Sequence, residues 1–109
     1  MDQSPDLVRG TVVPIVLALL SEEARYGYEI VKLVNARTNG RFEWKEGTLY
    51  PTLHRLEAER LIKAKWLTAE SGKRRKYYTL TPKGETELGR RRAAWQQFAE
   101  TVNVLLLGA

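Results

Sequence analysis

The stretch Gly47-Thr48-Leu49-Tyr50-Pro51-Thr52-Leu53-His54-Arg55-Leu56 is followed about twenty residues later by Lys73-Arg74-Arg75-Lys76-Tyr77-Tyr78-Thr79-Leu80-Thr81-Pro82. In the first stretch Leu49, Leu53 and Leu56 repeat at i, i+4 and i+7, which gives a short helix one apolar side. Its other side carries Thr48, Thr52, His54 and Arg55. Pro51 fits only in a first turn, where backbone N–H groups lack intrahelical partners anyway, so the spacing predicts a helix starting no earlier than Gly47 or Thr48. The second stretch places four adjacent cations beside a glycine-bearing loop. Leu61 to Thr68 and Lys76 to Leu80 read as two strands with a turn around Glu70-Ser71-Gly72-Lys73.

Further out, Tyr26 to Asn39 reads as a helix with Gly27, Ile30, Leu33 and Val34 inside and Gly40 as its stop. Gly27 sits where small size permits close packing. Leu7 to about Ser21 reads as an earlier helix covered by Leu7, Val12, Ile15, Val16, Leu19 and Leu20. Pro14 either bends it or falls in the first turn of a helix beginning near Thr11, and the bent form is favoured. Arg41 to Lys45 is read as a linker. Thr81 caps a last long helix with Pro82 at its first position, and Glu85 and Glu87 place negative charge near the positive end of its dipole. Within that helix Leu88, Trp95, Phe98, Val102 and Leu105 fall on an a/d seam, interrupted by Arg91. A stripe projected beyond so small a domain needs a partner, and the simplest is a second copy.

These elements make an α+β chain, mostly α. They are the anatomy of a winged helix-turn-helix with a long C-terminal dimerisation helix, in which one helix enters a DNA groove and a basic wing lies on the neighbouring backbone. Residues 1–80 are expected to form the DNA-binding domain and residues 81–109 the dimerisation helix. Charge is distributed accordingly: residues 1–59 carry 7 Lys/Arg against 9 Asp/Glu, whereas residues 60–92 carry 11 against 3. Clustered positive charge is the footprint of phosphate neutralisation, although a solvated basic face has the same composition. The candidate DNA contacts are Lys45, Thr48, Tyr50, Thr52, His54, Arg55, Lys73, Arg74, Arg75, Lys76 and Tyr77. Hydroxyls and Arg55 can donate to phosphates, and Thr52 or His54 can reach a base edge. An amphipathic helix whose outer face merely meets water has the same pattern. Tyr77 and Tyr78 point to opposite faces of their strand, so one packs inward. Arg90-Arg91-Arg92 spreads around the last helix by about 100° per residue, which suits solubility or pairing with Glu85 or Glu87 at a dimer edge.

At 109 residues the chain is one small domain, with 43% hydrophobic and 28% charged residues and a net charge of +5. With no cysteine and one histidine it holds no thiolate metal site and no disulfide, and a dedicated metal or cofactor site is not expected. There is no glycine-rich phosphate loop and no carboxylate cluster, so an enzyme is not expected. The run Val12 to Leu20 is too short to span a bilayer, and an acidic start with Asp2 and Asp6 is no leader, which fits a cytoplasmic protein. Trp95 and Phe98 form a candidate effector site, since aromatic rings paired across a two-fold axis either fill an interface or wall a slot for a planar hydrophobic molecule.

Several motifs in order, covering nearly the whole chain, resemble the PadR family of bacterial transcription regulators. They are Leu7-Val8-Arg9-Gly10, Tyr26-Gly27-Tyr28-Glu29-Ile30, Glu46 through Leu56, Leu61-Ile62, Trp66 and Arg75 through Gly84. The resemblance implies a homodimeric repressor binding an inverted-repeat operator in double-stranded DNA, with Glu46 through Arg55 in the major groove and Lys73 through Lys76 as the wing. It also implies an interface formed by the first and last helices, with Trp95 at the position where some relatives hold flat ligands. The family commonly has glycine where this chain has Arg60, so the helix before it must end differently or accept a strained residue. Two rivals share the fold: a winged-helix module that binds protein, and a regulator that needs no effector.

Overall fold

The structure, a computed structural model, describes residues 10–108. Its elements are α1 (Val12–Glu22), β1 (Arg25–Tyr26), α2 (Gly27–Arg37), α3 (Glu46–Ala58), β2 (Ile62–Thr68), β3 (Arg74–Leu80) and α4 (Pro82–Leu107). The three strands form one antiparallel sheet in the order β1-β3-β2. Arg25 pairs with Tyr78 and Tyr26 with Tyr77 on one side of β3, and on the other Ile62 to Thr68 pair with Leu80 to Arg74. This is the winged helix-turn-helix architecture, mostly helical, with a long last helix.

α1 begins after Gly10, whose φ of +91° breaks the chain direction, and the Ile15 N–H reaches the Thr11 carbonyl at 3.1 Å. Pro14 therefore lies in the first turn and no bend is needed among the described residues, in contrast to the bent helix favoured from sequence; Leu7 lies outside them. Val13, Val16, Leu17, Leu19 and Leu20 are its buried side. Arg25 is buried as well: its Nε donates to the Leu19 carbonyl at 3.0 Å and its guanidinium pairs with Glu22 and Glu29. Arg37 reaches the same Glu22 at 3.0 Å, so one carboxylate ties the end of α1 to β1 and to the last turn of α2. α2 stops in a Schellman motif, with the Gly40 N–H on the Asn35 carbonyl at 2.8 Å and the Asn39 N–H on that of Ala36 at 3.1 Å. Asn39, at φ +53°, takes the left-handed position ahead of Gly40.

The segment read as a linker holds a core residue. Trp44 is buried, its backbone held from both sides by the Asn35 side chain, which accepts from the Trp44 N–H at 2.9 Å and donates to its carbonyl at 3.4 Å. Leu49, Leu53 and Leu56 of α3 are buried as their spacing predicts. The helix starts at Glu46 rather than Gly47 or Thr48, so Pro51 sits one or two residues further in than expected, past the first turn. The proline costs the helix only the hydrogen bond that would have reached the Gly47 carbonyl, on the exposed side.

α3 ends on Arg60 at φ +63°, with the Arg60 N–H on the Glu57 carbonyl and the Leu61 N–H on the Leu56 carbonyl, both at 3.0 Å. The chain has thus kept the glycine-type stop and placed a strained arginine in it. α4 is seated on that stop. Thr81 Oγ1 donates to the carbonyls of Arg60 and Leu61 at 2.7 and 3.0 Å and accepts from the Gly84 N–H at 3.0 Å, while Lys83 Nζ reaches the Glu59 carbonyl at 3.0 Å. Leu88 is buried in its own protomer's core, and no residue of α4 after it is buried. Leu88 is therefore removed from the candidate dimer seam, which starts at Trp95.

Candidate nucleic-acid interface

The outward side of α3 is built from Gly47, Pro51, His54 and Ala58, small or compact residues at i, i+4, i+7 and i+11, all exposed. Thr48 and Arg55 are exposed beside them, Thr52 is half-buried with its hydroxyl toward the Thr48 carbonyl at 3.5 Å, and Lys45 is exposed at the N-cap. Such a ridge presents hydroxyls and one guanidinium with little side-chain bulk in front of them. Tyr50 turns away from the ridge toward α2, where it fills the space that a Cβ on Gly27 would occupy: that atom would lie 2.7 Å from the ring. Burial pushes the Tyr50 hydroxyl above its usual range, with the Glu46 carboxylate and Tyr78 adding to the effect.

The wing turn closes between Ala69 and Lys73, the Ala69 N–H on the Lys73 carbonyl and the Gly72 N–H on the Ala69 carbonyl, each at 2.8 Å, with Gly72 at φ +86°. Of the four adjacent cations only Lys73 lies in the turn, and the strand read from Lys76 begins two residues earlier. Arg74, Arg75 and Lys76 are already in β3, and the pleat sends them to alternate faces. Arg74 and Lys76 share the face of Trp66 and Tyr78: the Arg74 guanidinium lies 5.1 Å from the Trp66 ring centre and Lys76 Nζ 5.5 Å from that of Tyr78. Arg75 lies 4.4 Å over Tyr26, which also meets Tyr77 edge to face at 5.4 Å. Tyr78 is the inward tyrosine and Tyr77 is half-buried. Arg74 and Arg75 thus rest on aromatic faces that orient them without cancelling their charge.

Between α3 and the wing lies an open cleft of about 620 Å³. Tyr50 and His54 line it from the helix and Lys73, Arg74, Arg75 and Lys76 from the wing, so these six candidates converge on one surface. Lys45, Thr48, Thr52, Arg55 and Tyr77 lie outside it. Sequence reasoning gave no role to Tyr26, Tyr28 and Trp66, which also line the cleft. The available signal was aromatic residues on strands neighbouring a basic run. On α4, Glu87 pairs with Arg90 and Arg91 of the same helix, both at 2.6 Å, and these guanidiniums, Arg91 first, hold its carboxyl below the usual range. The arginine run is thus partly neutralised within the helix. Trp95 and Phe98 are exposed with ring centres 6.2 Å apart, and Leu105 is 83% exposed. Among the described residues no three His, Cys, Asp or Glu could hold a metal ion, and no helix is long and apolar enough to cross a membrane.

Residues 16–90 match the model of the transcriptional regulator PadR-like family. The chain belongs to the PadR-like family of transcriptional regulators. This PadR-like protein superposes on a transcriptional regulator from Clostridium thermocellum with a TM-score of 0.86 at 36% identity, covering 95% of this chain and 98% of that one. A PadR-like transcriptional regulator from Bacillus cereus gives 0.84 at 33% identity, covering 95% and 99%. A transcriptional regulator of Mycobacterium tuberculosis is 34% identical over 84 residues, 77% of this PadR-like chain and 64% of that protein. Membership places the chain among regulators, which implies DNA binding, and not among enzymes.

Proposed function

We propose that this PadR-like chain is a homodimeric repressor that binds an inverted-repeat operator in double-stranded DNA. The observation that carries the reading is a cleft in which Tyr50 and His54 of α3 meet Lys73 through Lys76 of the wing, beside an exposed α3 ridge flanked by Thr48 and Arg55. α3 occupies the major groove and supplies base contacts from Thr52, His54 and Arg55, and the wing positions the domain on phosphates. Residues 10–80 form the DNA-binding unit, and α4 beyond Leu88 joins two copies through Trp95, Phe98, Val102 and Leu105, presenting the two α3 helices about one DNA turn, near 34 Å, apart. A planar hydrophobic effector held between the Trp95 and Phe98 rings of two copies relieves repression by altering that separation. Such a regulator works in the cytoplasm.

The test is fluorescence anisotropy with the duplex upstream of the chain's own gene and a scrambled control, at two salt concentrations, for the wild type and for a variant with Lys73, Arg74 and Arg75 changed to Gln. The wild type is expected to prefer the upstream duplex. The variant should weaken on both duplexes and lose about 0.9 of salt slope per phosphate contact removed. A variant that binds both duplexes as the wild type does refutes the wing assignment.

A further inference from the structure

Of the two α3 carboxylates beside the wing, Glu46 lines the cleft without an ion pair among the described residues, and Glu57 pairs with a wing cation. Glu57 Oε1 lies 3.4 Å from Lys76 Nζ, with the two side chains 37% and 31% exposed. The residues are 19 apart in sequence, so the pair ties the helix to β3. Lys76 lines the cleft, rests over the ring of Tyr78, and is the one wing cation of the described residues whose charge meets an anion; Arg74 and Arg75 meet only rings. A pair this exposed adds little stability, between zero and about 1 kcal/mol. Its larger consequence is electrostatic. A phosphate arriving at Lys76 must displace Glu57 and leave that carboxylate unpaired beside a second anion.

We propose that Glu57 is a specificity-determining residue of the DNA interface: it withholds Lys76 from phosphates and holds the wing in register with α3. This rests on the DNA-binding reading above. Binding to an arbitrary sequence draws its free energy from phosphate neutralisation, so withholding one cation weakens it directly. A cognate complex draws also on base contacts, which need α3 and the wing in fixed relation, and there the pair is an asset. Glu57 therefore widens the gap between cognate and arbitrary DNA.

Glu57→Gln frees Lys76 while keeping size and hydrogen-bonding capacity. On a mixed-sequence duplex its affinity should exceed the wild type's, with a salt slope steeper by about 0.9 for each protomer engaged. Between about 50 and 200 mM salt that change is a gain at the low end about 3.5-fold larger than at the high end. The ratio of operator to mixed-sequence affinity should fall. The double variant Glu57→Gln with Lys76→Gln replaces a neutral pair by a neutral pair and should return the slope to the wild-type value. An unchanged slope in Glu57→Gln overturns the inference, as does a double variant that keeps the steeper slope. Those outcomes leave the DNA-binding reading standing. A wild type that binds neither duplex with any salt dependence overturns both. Circular-dichroism melts of each variant confirm that folded protein is compared.

Discussion

Two glycines of α4, five residues apart, should respond to alanine with opposite signs. In a helix interior alanine is favoured over glycine by about 0.8–1.0 kcal/mol. At Gly89 nothing lies within 4 Å of the Cβ that would be added, so Gly89→Ala should gain nearly that amount. At Gly84 the added atom would lie 2.0 Å from the Leu61 carbonyl oxygen and 2.8 Å from Leu80 Cδ1. That oxygen is fixed, because it accepts from the Thr81 hydroxyl at 3.0 Å and the Thr81 N–H at 3.1 Å. Separating the elements by more than about 1 Å loses both hydrogen bonds, at about 1 kcal/mol each, in addition to an overpacking cost of about 1–3 kcal/mol. Set against the propensity gain, Gly84→Ala should lose about 2–4 kcal/mol. At about 4–8 °C per kcal/mol for a chain of this size, the melting temperature should fall by about 8 °C or more, while Gly89→Ala should raise it by several degrees. Thermal and urea unfolding followed by circular dichroism at one fixed protein concentration measures both, fixed because association would shift the midpoints. A Gly84→Ala protein as stable as the wild type would refute the seating of α4 on the end of α3.

Arg60→Gly should stabilise by about 0.5–1 kcal/mol, because the strain of a left-handed arginine exceeds the extra unfolded-state freedom of glycine; an unchanged or lower urea midpoint contradicts it. Glu22 is held below its ordinary 4.5 by its hydrogen bond to Arg37, with Arg25 contributing. A folded-state value below the unfolded one gives stability that is present above pH 4.5 and is lost as pH falls through the lowered value. Glu22→Gln should therefore flatten the loss of stability with acid, and parallel acid limbs for variant and wild type would count against the Glu22 clamp. Phe98→Glu or Val102→Glu should reduce the light-scattering mass from the dimer to the 12.5 kDa monomer, and a dimer mass in both variants would remove α4 from the interface.

The elements that the sequence predicted well are those in which a single period or cap decides the outcome. Leu49, Leu53 and Leu56 needed only helical spacing, Thr81 and Pro82 only the chemistry of a helix start, and Tyr77 and Tyr78 only strand alternation. β1 escaped because two residues carry no period: Arg25 and Tyr26 are a strand only because β3 is there to pair with them. Trp44 was read into a linker because its burial depends on Asn35, nine residues away, whose side chain supplies both of its backbone hydrogen bonds. The start of α3 was placed one or two residues too late by a rule that counts lost hydrogen bonds without asking where the freed carbonyl points. At Gly47 it points to the exposed side, where water can satisfy it.

The candidate site divides along the same line. Composition gives four adjacent cations and nothing about what each does, since in sequence Lys73 through Lys76 are equivalent. The register of β3 against β2 and β1 makes them unequal: Lys73 stays in the turn, Arg74 meets Trp66, Arg75 meets Tyr26, and Lys76 meets Tyr78 and Glu57. Two of these contacts leave the charge free for a phosphate and one cancels it. Arg60 is the converse case, a residue whose oddity and two possible outcomes were visible in sequence but not which of the two the chain takes. Of a different helix end and a strained residue the chain takes the second: the left-handed stop persists, with the Arg60 and Leu61 carbonyls bound by Thr81. The start of α4 is thereby tied to the end of α3 through those two carbonyls and through Lys83 on the Glu59 carbonyl, so that moving α4 away from α3 must break three hydrogen bonds whatever stands at position 60.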